Sequence, residues 1–168
     1  MSELIEILNN TITKKEFKNF FNLLLTKEQS YYYKTNKLSC EYYHFNKIKF
    51  GTFIQIYDNG DLTSKWNYIN NKKEGKCQTW YKNNKLSCEC YYINDKKEGK
   101  NQKWYENGQL KEESNYVNNN LHGNYKTWYE NGKLYIETNY LNGIINGFYY
   151  EWNENGELIK YGTIINYM

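Results

Sequence analysis

The sequence predicts an all-β protein: an elongated single-sheet antiparallel meander, a solenoid of tandem β-hairpin repeats, preceded by a short N-terminal α-helical cap. Three observations carry this expectation. A glycine returns every twenty-four residues, at Gly51, Gly75, Gly99, Gly123 and Gly147, and a fixed period of that size is the signature of a repeat array. The composition is rich in flat side chains, with 20 Tyr, 5 Trp and 7 Phe, and contains neither Pro nor Ala; aromatics fit pleated surfaces, whereas a helical bundle needs Ala and Leu as filler. Each period also holds two extended runs around an Asn-Gly step, the strongest short-range hairpin signal.

Residues 1–26 differ from all that follows. Leu4, Ile5 and Leu8 share one helical face, Thr13 with Glu16 has the spacing of a capping box, and Phe17, Phe20, Phe21, Leu24 and Leu25 follow the spacing of an amphipathic helix. The expected organisation is therefore a helical cap over 1–26 sealing a repeat array over 27–168. A degenerate copy occupies 27–50, where Lys37-Leu38-Ser39-Cys40-Glu41 matches Lys85-Leu86-Ser87-Cys88-Glu89 residue for residue. Clear copies follow at 51–74, 75–98, 99–122, 123–146 and 147–168.

Within the copies the register is strict. Asn59, Asn83, Asn107, Asn131 and Asn155 fall at one position, Gly60, Asn84, Gly108, Gly132 and Gly156 at the next, and Leu62, Leu86, Leu110, Leu134 and Leu158 two further on. Parity selects the turn. A two-residue loop would put Trp128 and Leu134 on opposite faces, whereas a three-residue loop, Glu130-Asn131-Gly132 with glycine left-handed, pairs them and groups them with Ile136 and Tyr140. The polar residues between each closing Tyr and the next Gly read as a connecting turn. With strands about 4.8 Å apart, five copies span about 50 Å.

Charge and composition exclude several functions. The net charge of +3 is too small to imply nucleic acid. Met1 to Glu6 carry acids where a secretory leader is basic, and no apolar run approaches the roughly 20 residues of a membrane span. A soluble, intracellular and cytoplasmic protein is expected. Its four cysteines, Cys40, Cys77, Cys88 and Cys90, are then free thiols rather than a disulfide frame. A zinc site needs about four close ligands, and Cys40 lies about 19 Å from Cys88 by strand counting, so no metal is expected. Two His, no nucleophile elbow and no Gly-rich phosphate loop predict no catalytic site, no cofactor and no enzyme. Glu41, Glu89, Glu113 and Glu137 share one position and read as a ladder pairing with lysines on neighbouring strands.

The recurrent Gly-x-x-x-x-Trp-Tyr-x-Asn-Gly-x-Leu with its later Tyr resembles the MORN repeat family in its longer-period variant, over about residues 36–165. Departures are Ile56 for Trp, Asn84 for Gly and Asn153 for Tyr. The resemblance implies a hairpin array used as a scaffold and interaction surface. Some members are linked with membranes or phosphoinositides, and the variant branch also occurs in bacterial antitoxin-like proteins and large DNA viruses, which would place a viral member in host cytoplasm or virion.

The expected function is a non-enzymatic scaffold for protein–protein contact. Tyr81, Tyr105 and Tyr129 form a candidate protein-binding surface on the face away from the stacked Trp80, Trp104, Trp128 and Trp152. The last strand is apolar and lacks Pro, so Ile159, Tyr161, Ile164 and Ile165 form a candidate self-association edge, giving a homodimer or a site buried by a partner. Lys72, Lys73, Lys96 and Lys97 are the candidate lipid contacts for an alternative, peripheral binding to anionic membrane lipid. A toxin-neutralising, immunity-type protein is the remaining alternative.

Overall fold

A computed structural model of the protein describes residues 26–31, 38–45 and 47–164. The expected helical cap over 1–26 lies outside these residues but for Thr26, which begins a strand. The described residues form one open antiparallel sheet of fifteen strands. Its continuous path takes β1 (Thr26–Tyr31), β2 (Leu38–Phe45), β3 (Ile48–Ile56), β4 (Leu62–Ile69), β6 (Gly75–Trp80), β7 (Leu86–Ile93), β9 (Gly99–Trp104), β10 (Leu110–Val117), β12 (Gly123–Trp128), β13 (Leu134–Leu141), β14 (Ile144–Trp152) and β15 (Leu158–Ile164) in chain order. Three two-residue strands, β5 (Lys72–Lys73), β8 (Lys96–Lys97) and β11 (Asn120–Leu121), fold back on β4, β7 and β10. The degenerate copy is present as the β1–β2 pair, with Tyr31 opposite Leu38.

The Asn-Gly loops have the expected three-residue form. In the fourth clear copy Tyr129 N donates to Lys133 O (2.8 Å) and Gly132 N to Tyr129 O (2.9 Å), with Gly132 at φ 83. Trp128 stands opposite Leu134 as parity required. Asn84 holds the left-handed place at φ 61 in the copy that lacks glycine there, as a residue tolerant of that region should.

The face assignment needs correcting past the turn. The register slips by one between Trp128 and Thr127, so Thr127 opposes Ile136 and Gly123 opposes Tyr140. A one-residue bulge resets parity, and Ile136 and Tyr140 fall on the face opposite Trp128. The same slip follows Trp80, Trp104, Trp152 and Ile56. It recurs because each three-residue loop is followed by an unpaired residue, Tyr135 in this copy.

The connections also differ from a simple polar turn. Ile69 pairs with Lys72 and Ile93 with Lys96, leaving two-residue loops whose members are both left-handed: Asn70-Asn71 (φ 51, 65), Asn94-Asp95 (φ 51, 68), Asn118-Asn119 (φ 50, 72) and Asn142-Gly143 (φ 52, 86). Left-handed pairs of this kind match the twist of a tight hairpin. Each period thus contains two hairpins, one of each turn type.

The burial follows the second face. Cys77 and Cys90, Asn101 and Ser114, and Tyr125 and Thr138 are directly opposed pairs there, and the most deeply buried described residues are Ser114 (0 %), Asn101 (1 %), Cys90 (3 %) and Ser64 (3 %). A single layer cannot cover large side chains on both sides, so the small residues at the middle of the strands are buried best. The tryptophans are half-buried. Lys73 and Lys97 reach back over this face: Lys73 Nζ lies 4.3 Å from the Trp66 ring centre and 5.2 Å from that of Tyr92, and Lys97 Nζ 3.5 Å from Asn101 Oδ1.

Candidate interaction surface

Two seams run across the copies, and the predicted tyrosine and lysine positions lie along them. At the three-residue turns, the hydroxyls of Tyr57, Tyr81, Tyr105 and Tyr129 donate to the carbonyls of Trp80 (3.1 Å), Trp104 (2.7 Å), Trp128 (2.8 Å) and Trp152 (2.8 Å) of the following copy. Tyr81, Tyr105 and Tyr129 are half-buried, and their polar tips are engaged. Beside them Asn83, Asn107 and Asn131 accept from a backbone N–H of their own turn and donate Nδ2 to the carbonyl of Glu106, Glu130 and Glu154. Each Asn therefore shapes one turn and ties it to the next.

The second seam joins the two-residue loops. Asn71, Asp95 and Asn119 donate their N–H to the carbonyls of Lys49, Lys73 and Lys97, and accept from the N–H of the same three residues. This fixes the backbone of the candidate lipid-contact lysines. Lys73 and Lys97 turn inward, the latter also 5.0 Å from the Tyr116 ring centre, which leaves Lys72 and Lys96 exposed, with Lys96 Nζ 3.4 Å from Asn118 Oδ1. A cation held over aromatic rings is stabilised by their negative faces.

The glutamate position behaves as a ladder. Lys27–Glu41 (2.7 Å), Lys76–Glu89 (2.9 Å), Lys100–Glu113 (2.9 Å) and Lys126–Glu137 (2.8 Å) are ion pairs, and Gln29, Gln78 and Gln102 add amide donors to the first three carboxylates. The Lys27 hydrogen bond holds the Glu41 carboxyl below its usual range. Deeper, on the other face, Asn101 Nδ2 donates to Ser114 Oγ (3.0 Å) and Glu112 Oε1 (3.1 Å), and Lys103 pairs with Glu112 at 2.9 Å. These groups satisfy one another. Among the described residues no cluster of His, Cys, Asp and Glu is placed to hold a metal ion, and no helix is long and apolar enough to cross a membrane.

The last hairpin differs from the three before it on the ion-pair face. Positions held by Lys76, Gln78 and Glu89, by Lys100, Gln102 and Glu113, and by Asn124, Lys126 and Glu137 become Phe148, Tyr150 and Tyr161. Phe148 and Tyr150 stack with ring centres 6.2 Å apart, and Tyr150 continues to Trp152 at 5.8 Å. Phe148 is 63 % and Tyr161 75 % exposed. Ile159 and Leu158 are exposed on the same strand as Tyr161, and Ile164 of the predicted edge is exposed on the opposite face; Ile165 lies outside the described residues. Phe148 and Tyr150, with Asn124, Glu137 and Asn139, line a shallow depression of about 420 Å³. The sequence reading missed the Phe148 row, although comparing equivalent positions of successive copies reveals it.

No curated protein sequence matches the chain significantly. Among solved structures, a mutant of S. aureus TarM in complex with Fondaparinux, alpha-GlcNAc-glycerol and UDP is similar at 16 % identity and a TM-score of 0.37, covering 70 % of this chain and 26 % of that one. A second TarM structure gives 16 % and 0.36, covering 69 % and 25 %. The chain thus spans about a quarter of TarM's length. A Bacteroides fragilis protein of unknown function gives 12 % and 0.15, covering 86 % and 96 %. The family model described as MORN repeat variant matches residues 51–70, 73–94, 97–118 and 121–142, four tandem units within the array of paired hairpins. The chain belongs to the MORN repeat variant family.

Proposed function

We propose that this protein is a non-enzymatic repeat scaffold that holds a protein partner at its last hairpin. The observation that carries the reading is the exchange of a polar rung for the exposed aromatic row Phe148, Tyr150 and Tyr161. Three preceding hairpins build the same backbone with Lys, Gln, Asn and Glu at these positions, so the fold does not require aromatic side chains there. Aromatic side chains in a partly polar setting are what protein interfaces concentrate. The adjoining strand β15 adds Leu158 and Ile159, carries Ile164 on its other face and holds one charge, Lys160, whereas β1 at the opposite end carries Lys27 and Glu28, the kind of charged residues that discourage strand addition.

The test restores the rung used elsewhere. Phe148→Lys with Tyr161→Glu recreates the Lys100–Glu113 arrangement in the last copy. The wild-type protein should retain a partner from extracts of its native source, or a second copy in sedimentation, and the double variant should lose it while melting normally. Equal retention by both proteins would reject this surface. Peripheral binding to anionic lipid gains less support, because Lys73 and Lys97 are held over rings; co-sedimentation with anionic vesicles that disappears in salt would reinstate it.

A further inference from the structure

Three of the protein's four cysteines sit on one hairpin. Cys77 on β6 is directly opposite Cys90 on β7, and Cys88 precedes Cys90 by two residues, hence on the same face. All three are free thiols. Cys88 Sγ donates to Asn101 Oδ1 of the next copy (3.9 Å), while Cys77 and Cys90 face one another across the ladder. Equivalent positions hold Asn101, Ser114 and Glu112 in the next copy and Tyr125, Thr138 and Ile136 in the one after. The fold accepts unrelated side chains there, so it does not itself demand sulfur.

Opposed residues of an antiparallel ladder have Cα atoms about 4.5–5.5 Å apart, inside the about 4.4–6.8 Å range that a disulfide spans. Access is restricted, since Cys77 is 7 % and Cys90 3 % exposed. A tripeptide disulfide such as oxidised glutathione cannot reach sulfur so deeply placed, whereas a hydroperoxide is the size of two water molecules. We infer that Cys77 and Cys90 form a peroxide-responsive pair that closes a cross-strand disulfide within the second clear copy.

The steps balance with hydrogen peroxide as oxidant. The Cys77 thiolate attacks the peroxide O–O bond, becoming a sulfenic acid and releasing hydroxide, which takes up the proton lost from Cys77. The Cys90 sulfur then attacks the Cys77 sulfur, and the sulfenic oxygen leaves with the Cys90 proton as water. Two thiols and one peroxide give one disulfide and two waters. Cys77 is the attacking group because the hydrogen bond from Cys90, followed by the charges of Lys73 and Lys97, holds its thiol below the usual range despite burial. Cys88 is the poorer nucleophile, its thiol pushed up by the neighbouring Cys90 thiol and by burial.

The experiment treats the reduced full-length protein with hydrogen peroxide and follows intact mass and peptide maps. A loss of two hydrogen masses mapping to Cys77 and Cys90 is expected, in the wild type and in Cys88→Ser alike. Cys90→Ser should stop at a Cys77 sulfenic acid, read as a gain of one oxygen mass at Cys77, and Cys77→Ser and Cys77→Ala should give neither product, with circular dichroism reporting that each variant is folded. Three results would overturn the inference: no cross-link in Cys88→Ser, a cross-link that persists in Cys90→Ser, or glutathione adducts on Cys77 at the rate of exposed thiols.

Discussion

Asn107 shows at the scale of one residue why the repeat keeps asparagine where aspartate would turn the chain as well. Its Oδ1 accepts from Gln109 N at 2.8 Å and its Nδ2 donates to Glu130 O at 2.9 Å. Asn107→Asp keeps the first bond and turns a carboxylate oxygen toward a carbonyl, which should cost about 1 kcal/mol at this exposed site. Tyr105→Phe removes the hydroxyl that reaches Trp128 O and should cost about 0.5–1.5 kcal/mol. Urea midpoints measure both, and unchanged midpoints would show that this seam does not hold the copies together. Tyrosines also set an alkaline limit. Burial pushes the Tyr92 and Tyr125 phenols up to about 12, and the Glu151 carboxylate, which accepts the Tyr149 hydrogen bond at 2.6 Å, does the same for Tyr149. Their folded values lie above the ordinary value of about 10, so the stabilisation is complete below about pH 10 and is lost as pH rises toward about 12. Melting temperatures should therefore fall across that window, and less steeply in Tyr149→Phe.

At the scale of the hairpin, the two turn types differ in how far they could be read beforehand. The three-residue loop was legible because Asn-Gly marks it and the Trp128–Leu134 pair fixes its length. The two-residue loops were not, although Asn70-Asn71 and Asn118-Asn119 are left-handed pairs, because the strands that follow are only two residues long and lack an apolar alternation. The bulge beyond Trp128 left no mark in composition, so Ile136 and Tyr140 were placed on the wrong face. The glutamate ladder was legible from spacing and charge; the tyrosine seam was not, since its acceptor is a backbone carbonyl. The copy with Asn84 supplies a test of the turn itself. Gly132 has φ 83, where a β-carbon costs about 1–2 kcal/mol. An added β-carbon would also lie 2.8 Å from Gln109 Oε1, the movable end of a side chain. Gly132→Ala should lower the urea midpoint, and Gly132→Asn should lower it less, since Asn84 holds the equivalent place at φ 61. Equal losses would mean that the side-chain contact, rather than the backbone, sets the cost.

At the scale of the whole molecule, the bonds of the two seams that join neighbouring copies are repeated one period later. Tyr81 meets Trp104 as Tyr105 meets Trp128, and Asp95 meets Lys73 as Asn119 meets Lys97. Backbone pairing between copies is short in the middle of the array, with Ser64–Thr79 and Lys65–Gln78 between β4 and β6 and Cys88–Lys103 and Glu89–Gln102 between β7 and β9. The seams therefore carry much of the coupling, and they depend on register rather than on any one copy. Removing residues 99–122 places Gly123 after Glu98, so Tyr81 inherits Trp128 as its acceptor and Lys73 and Asp95 keep theirs. Stability in such an array is a sum of unit and neighbour terms. The shortened protein should fold, with strand content per residue unchanged, a urea m-value lower by about a seventh, in proportion to the surface removed, and a reduced midpoint. Removing 99–110 instead takes half a period, sets the wrong turn against each seam, and should abolish cooperative unfolding. If both deletions behave alike in circular dichroism and urea titration, the copies are held by something other than the periodic seams.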